Sequence, residues 1–236
     1  MAAVLWLQEW QWEEARKEFD RSLNLSPRYP TGNHWQAEFV MTMGQHSRAI
    51  AKMRSSQELD PLSLIIHVAL GWALYMARRY DESIEQLKRT IALDPNYPVA
   101  YWILGQVYSK IGAHDLAIAA GEKSIQLSGG SLLMSAALAQ SYGASGKKEN
   151  VLKILFDLTE QAKYKYVAPH FFAGVHLGLG DEGRALDYLE KSYEERCHWL
   201  IYLHIDPSMD RLRNNPRFHN LLQGIGLPAT MSARIA

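Results

Sequence analysis

Small, large apolar and polar positions recur along this chain with a period of about 34 residues, and Leu70–Pro95 lies within one period. This stretch predicts a helix, a short polar turn, a second helix and a stop at Asp94-Pro95, because proline disfavours continuation of a helix. One set of equivalent positions is small throughout: Ala3, Ala37, Gly71, Gly105, Ala139 and Ala173. Small residues let two helices approach closely, while large apolar neighbours fill the remaining space. The pattern predicts a tandem array of helical hairpins.

The period divides residues 1–198 into six repeats, of which the first is incomplete. We place the repeats at 1–28, 29–62, 63–96, 97–130, 131–164 and 165–198. Pro27, Pro61 and Pro95 close three successive repeats. Gly121 stands where the pattern has a large residue, so we expect a loosened junction in the fourth repeat.

Both ends of the chain depart from the period. Projected backwards, the first repeat begins before Met1, so we expect either that the chain is a fragment or that this edge packs against another chain. Residues 199–228 carry apolar residues at helical spacing, which predicts a capping helix over the last repeat. We expect residues 229–236 to form a tail.

A period of about 34 residues with small, aromatic and proline positions in this order resembles the tetratricopeptide repeat. The fourth repeat is closest to that pattern in its first helix, where it carries Tyr101, Leu104, Gly105 and Tyr108. The resemblance implies an all-α fold, namely a right-handed α-solenoid of helix-turn-helix repeats.

The residues that follow the repeats resemble a tail that recurs in bacterial signalling proteins. The matching residues are Asp206, Pro207, Asp210, Leu212, Arg213, Pro216, Arg217, Phe218, Leu221, Leu222, Gly226, Leu227 and Pro228. In that group the repeats and the tail commonly follow a serine/threonine kinase, an adenylate cyclase or a winged-helix regulator of the CadC type. The resemblance implies a regulatory or docking region and no chemistry of its own.

Composition narrows the classes of partner. The 25 basic residues equal the 25 acidic ones, which argues against nucleic acid as a partner because phosphate binding rests on surplus cations. A single cysteine, Cys197, excludes an internal disulfide framework and suits a reducing compartment. Met1–Leu7 lacks the basic flank of a secretory leader, and Leu62–Met76 is too short to span a membrane. We therefore expect a cytoplasmic protein with no membrane partner.

Several short motifs resemble nucleotide-binding, metal-binding or catalytic sites, but a structural role explains each of them better. Gly178-Leu179-Gly180-Asp181-Glu182-Gly183 fits the G-x-G-x-x-G pattern, but a dinucleotide site requires a preceding strand, and here the glycines fall on a predicted interhelix turn. The nine histidines lack the spacing of metal ligands on adjacent helical turns. Cys197 and His198 are sequence neighbours and point to different sides of a helix. The sequence predicts no catalytic residue, metal site or cofactor.

Binding is predicted on the concave side, because in the repeat family the first helix of each repeat lines that wall. Positions −3, +1 and +4 from the small residue should face inward, with Lys110 beside them. The predicted groove residues are His34, Glu38, Met41, Trp72, Tyr75, Trp102, Gln106, Ser109, Lys110, Gln140 and His170. Tryptophan and tyrosine could anchor a peptide there. Alternatively, Trp72 and Trp102 simply pack on adjacent helices.

These features predict a non-catalytic protein-protein interaction module that binds a peptide or helix in its groove, as the regulatory region of a bacterial signalling protein. The alternative is a region that senses a small molecule in the same groove and is coupled to an effector domain. Self-association would use the edge that carries Trp6, Trp10 and Trp12.

Overall fold

A computed structural model describes residues 1–228, and every regular element within that range is a helix. The α-helices are α1 Ala2–Leu7, α2 Trp12–Leu25, α3 Pro30–Thr42, α4 His46–Leu59, α5 Leu64–Met76, α6 Tyr80–Leu93, α7 Pro98–Lys110, α8 His114–Leu127, α9 Leu132–Ala144, α10 Lys148–Ala162, α11 Pro169–Leu179, α12 Glu182–Glu194 and α13 Pro216–Ile225. Two 3₁₀ helices, His198–Tyr202 and Pro207–Leu212, precede α13. The all-α class predicted from the sequence is confirmed. The predicted tail, 229–236, lies outside the described residues.

The helices follow the period of the sequence. The second helices of five hairpins begin at residues 46, 80, 114, 148 and 182, at equal intervals that match this period. The first helices begin at residues 30, 64, 98 and 132, with the same spacing, whereas α11 begins at Pro169. Proline suits this first helical position because its missing amide proton would have no partner within the helix.

The turn between the two helices of a hairpin needs one residue with left-handed backbone. Gly44, Gly112, Gly146 and Gly180 fill this position with φ values of 72°, 77°, 77° and 78°. Trp10 and Arg78 occupy the same position of their repeats with φ values of 55° and 60°. A side chain makes this conformation unfavourable by about 1–2 kcal/mol, so these two residues must be held by other contacts.

Glycines within the helices mark places where backbones touch. A Cβ on Gly105 would lie 3.1 Å from the carbonyl oxygen of Ala117 and 3.2 Å from the amide nitrogen of Gly121, so α7 and α8 meet there. A Cβ on Gly121 would lie 2.7 Å from Leu138 Cδ1. The expectation of a loosened junction at Gly121 is therefore wrong, because the side chain of Leu138 fills that space.

The chain divides into two compact units. Of the described residues, the first unit comprises Met1–Gln86 together with 198–228, and the second comprises Leu87–Cys197. Residues 198–228 therefore belong with the N-terminal repeats. None of the helices within residues 1–228 is long and apolar enough to cross a membrane.

Candidate peptide-binding site

The predicted groove residues of the first unit are largely buried. Met41 and Tyr75 have no exposed surface, and His34 and Trp72 retain 5% and 8% of theirs. Trp72 and Tyr75 stack with their ring centroids 5.4 Å apart, and His34 Nε2 lies 4.0 Å from the Glu38 carboxylate.

The inner face of these repeats is covered by the end of the chain, residues 198–227, which we call the C-terminal segment. The Tyr202 hydroxyl donates a 2.8 Å hydrogen bond to Glu38 Oε1. The Tyr202 ring lies edge-on to Trp72, with centroids 6.2 Å apart and an interplanar angle of 83°. These contacts join the segment to α3 and α5, whereas its role as a cap on the last repeat stays a prediction.

A second contact holds the segment at the turn between α5 and α6. The guanidinium of Arg78 donates two hydrogen bonds to the Asp210 carboxylate, at 2.7 and 2.5 Å, and Arg213 Nε donates a third at 2.6 Å. Partial burial opposes ionisation of Asp210, but these charged hydrogen bonds outweigh it and lower its pKa. Arg78 thus gains an ion pair at the position where its backbone is strained.

The tryptophans predicted at a self-association edge are used within the chain. Trp6 is fully buried, and its indole N–H donates a 3.0 Å hydrogen bond to Thr42 Oγ1. The Trp12 N–H donates a 2.8 Å bond to the carbonyl of Ile225, at the end of α13. Trp10 is half-buried at its left-handed turn position. Contacts within the chain therefore account for the positions of Trp6 and Trp12, without a second copy of the protein.

The exposed apolar surface near this edge belongs to other residues. Leu25 and Tyr29 expose 77% and 55% of their surface. They line a cleft of about 490 Å³, with Phe19 and Trp35 also in its wall.

Burial also sets the protonation of the inner face of the first unit. Burial lowers the pKa of His34 to about 4, so its imidazole is neutral at neutral pH. Burial raises the pKa of Glu38, although the hydrogen bond from Tyr202 acts in the opposite direction. The phenol of Tyr202 has its pKa raised well above its ordinary value by burial and by the nearby Glu38 carboxylate.

The predicted groove residues of the second unit are more accessible. Trp102 is 9% exposed, Gln106 and Ser109 are half-buried, and Lys110 is exposed. All four lie on α7. Their counterparts on α9 and α11, Gln140 and His170, are half-buried. These residues therefore lie on the first helices of three successive repeats.

The side-chain amides of Gln106 and Gln140 differ in their surroundings. Gln106 Nε2 is buried and has no hydrogen-bond partner among residues 1–228. Gln140 Nε2 lies beside Gly174 of α11, 3.5 Å from where a Cβ on that residue would be. Because an amide donor prefers an acceptor when it is removed from water, Gln106 can bind one supplied from outside the chain.

The glycine motif of the second unit is an interhelix turn, as its position in the repeat predicts. Gly180 ends α11 with left-handed backbone, and Asp181 Oδ1 accepts a 3.1 Å hydrogen bond from the Arg184 amide to open α12. A Cβ on Gly178 would lie 2.5 Å from the carbonyl oxygen of Ala139 on α9. The first glycine thus serves helix packing and the second serves the turn. Among residues 1–228, no three metal-ligating side chains are placed to hold an ion.

Sequence comparisons match the middle of the chain to one family of repeats. A family described as "TPR repeat" matches residues 78–112, and one described as "Tetratricopeptide repeat" matches residues 98–130. The chain is 27% identical over 85 residues to the small glutamine-rich tetratricopeptide repeat-containing protein 2 of Mycosarcoma maydis. That match covers 36% of this chain and 24% of the relative, so the chain spans about a quarter of the relative's length.

Solved structures share the helical architecture. The crystal structure of a MamA protein is 28% identical, with a TM-score of 0.52 over 66% of this chain and 88% of that one. A tetratricopeptide repeat protein from Parabacteroides merdae is 13% identical, with a TM-score of 0.63 over 92% of this chain and 78% of that one. Residues 78–130 therefore consist of tetratricopeptide repeats, and the chain has the all-helical repeat fold of solved tetratricopeptide proteins.

Proposed function

We propose that this chain is a non-catalytic protein-interaction module whose inner helix faces hold an extended peptide or a short helix. The observation that carries this proposal is the docking of the C-terminal segment on the first unit. There the Tyr202 hydroxyl meets Glu38 at 2.8 Å and its ring meets Trp72. The inner face of these repeats thus accommodates a piece of polypeptide through one aromatic contact and one side-chain hydrogen bond.

The surface proposed for a partner is the inner face of the second unit. Trp102 supplies an aromatic edge, and buried aromatic residues contribute much of the binding energy in protein interfaces. Gln106 and Gln140 lie on neighbouring first helices and carry amide groups that can donate and accept hydrogen bonds. These groups match the carbonyl and N–H groups of an extended peptide.

The charge of this surface also bears on the kind of partner. Its predicted residues include one permanent cation, Lys110, and no carboxylate. We therefore propose an uncharged peptide stretch with an apolar side chain seated against Trp102. Recognition would rest mainly on backbone groups, so it would tolerate variation in the partner's sequence.

The cellular context is a separate part of the proposal. The resemblance of residues 206–228 to the tail of bacterial signalling proteins supports a regulatory region attached to an effector domain. The single cysteine, Cys197, is a buried thiol, which is compatible with a cytoplasmic location. Self-association would use the cleft beside Leu25 and Tyr29 rather than the buried Trp6.

Selection of peptides on the full chain tests this function. Peptides from a random library would be selected on the protein, and affinities measured by calorimetry for Trp102→Ala and Gln106→Leu. We expect at least a tenfold loss of affinity for each, with unchanged helicity by circular dichroism. Phe156→Ala is the matched control, because Phe156 is an aromatic residue of the same unit that is 63% exposed; this variant should bind normally.

Two results would count against the proposal. Selected peptides that bind the folded Trp102→Ala and Gln106→Leu variants as tightly as the parent would show that α7 is not the site. Thermal stabilisation by small metabolites, with no peptide recovered, would favour the small-molecule sensor instead. Since Gln106→Leu preserves side-chain volume, it tests the site even if loss of Trp102 unfolds the unit.

A further inference from the structure

A buried histidine lies at the centre of the contact between the C-terminal segment and the first unit. His204 lies between the two 3₁₀ helices of the segment and is 1% exposed. Neither of its ring nitrogens has a hydrogen-bond partner among residues 1–228. Its Nε2 packs over the turn between α3 and α4, 3.7 Å from where a Cβ on Gly44 would be. The ring is therefore buried beside this turn, with no acceptor for a second proton among the described residues.

The groups around His204 disfavour a positive charge. Arg213, on the segment itself, donates to the His204 carbonyl oxygen at 2.5 Å, and the charges of both Arg213 and a protonated His46 act against a charged His204. His46 begins α4, and its own Nδ1 is buried without a partner among residues 1–228. Burial and the charge of Arg78 lower the pKa of His46. The two histidines are thus both kept neutral at this contact.

The acidic and phenolic groups nearby do not supply the missing acceptor. The carboxylate of Asp210 is held by Arg78 and Arg213, and Asp206 Oδ1 accepts the Ser208 amide at 2.7 Å. Tyr75 and Tyr80 reach the same region from α5 and the start of α6. On α13, His219 Nε2 contacts the Arg213 carbonyl. Among the described residues, none of these charged or titratable groups forms a hydrogen bond with the His204 ring.

We propose that docking of the C-terminal segment is sensitive to acid: His204 takes up a proton only when the segment leaves the first unit, so mild acid uncovers the inner face of the second and third repeats. The face that becomes accessible includes Glu38 and Trp72, which Tyr202 covers at neutral pH.

The direction and size of the effect follow from proton linkage. Burial, with the charges of Arg213 and His46, lowers the pKa of docked His204 to about 3, against about 6.5 for a solvated histidine. Acid therefore favours the undocked state from about pH 6.5 downwards. Between pH 7 and pH 5 this one group should weaken docking about 25-fold. His46 acts in the same direction, whereas Glu38, whose pKa is raised in the docked state, acts against it.

Hydrogen exchange on the full chain tests the proposal. Amide protection factors would be measured at pH 7 and pH 5, corrected for the intrinsic pH dependence of exchange. We expect protection in residues 198–227 to fall by about 25-fold, while α7–α12 keep theirs. In His204→Phe, which has a ring of similar size that cannot titrate, most of this fall should disappear. In Glu38→Gln the fall should become larger.

Control variants show whether the fall in protection comes from the histidines at this contact or from a general effect of acid on the protein. His114 begins α8 at the position that His46 has in its own repeat, so His114→Gln should leave the fall in protection unchanged, whereas His46→Gln should reduce it. An equal fall across α3–α6 would indicate unfolding of the whole unit and overturn the proposal, as would an unchanged pH dependence in His204→Phe. If His204→Phe does not fold, a proton NMR titration of His204 decides: a charged ring in the docked segment at pH 5 refutes the proposal.

Discussion

The glycines between α9 and α11 provide a direct test of how closely these helices must approach. A Cβ on Gly178 would lie 2.5 Å from the carbonyl oxygen of Ala139 and 2.9 Å from its carbonyl carbon. A Cβ on Gly143 would overlap the carbonyl oxygen of Gly178 from the other side. Because the obstacle at both sites is backbone, it cannot rotate away as a flexible side chain could. One added methyl group must therefore separate the two helices.

Gly174 is a matched control on the same helix. A Cβ there would lie 3.5 Å from Gln140 Nε2 and 3.6 Å from the Ala136 carbonyl oxygen, which are ordinary contacts. Alanine at Gly174 should leave the free energy of unfolding unchanged or raise it by up to about 1 kcal/mol, because alanine favours the helical conformation more than glycine does by about that amount. Alanine at Gly178 should lower it by about 1–3 kcal/mol through overpacking.

Thermal unfolding followed by circular dichroism distinguishes these outcomes. For a chain of this size, about 1 kcal/mol corresponds to about 2–4 °C in Tm, and the two variants should differ by about 1–4 kcal/mol, so Gly174→Ala should melt about 2–16 °C above Gly178→Ala. Gly143→Ala should behave like Gly178→Ala, since it enters the same contact. Equal melting temperatures for folded Gly174→Ala and Gly178→Ala would refute the inference that backbone contact joins α9 and α11.

Three further predictions concern the first unit, and each is measured by urea unfolding. Tyr202→Phe should cost about 1–3 kcal/mol, because the Glu38 carboxylate loses its partner; an unchanged midpoint would show that the hydrogen bond contributes nothing. Arg78→Gly and Arg78→Ala both lose the contacts to Asp210, but only glycine relieves the left-handed backbone, so the glycine variant should be more stable by about 1 kcal/mol; equal stability would show that the backbone there is unstrained. Phe218→Ala, at a fully buried site, should cost about 3–5 kcal/mol, and a smaller loss would show that α13 packs loosely.

Much of the fold could be predicted because the repeat is encoded locally. Small residues such as Gly105 occur where helices meet, and each recurrence of the pattern supports the others. The polar turns share one left-handed residue, which is why Gly44 and its counterparts recur at the same point of each repeat. The expectation that failed within a repeat, at Gly121, failed because Leu138 of the next helix compensates for the missing side chain.

The candidate site was predicted less completely. The offsets selected Glu38 and Trp72 as groove residues, and in the structure both side chains contact Tyr202. Their accessibility could not be predicted, because Tyr202 is 164 residues from Glu38 in the chain. The signal that could have suggested this contact is Arg78, a bulky residue at a position where the neighbouring repeats carry glycine.

By itself, the sequence determined the hairpins and their spacing, since these depend on side-chain size and backbone preference over a few helical turns. Only the tertiary structure decided that the C-terminal segment packs on the N-terminal repeats and covers Trp72. The physical reason is that this contact joins distant residues through single matched pairs, Tyr202 with Glu38 and Arg78 with Asp210, and no periodic pattern records such pairs.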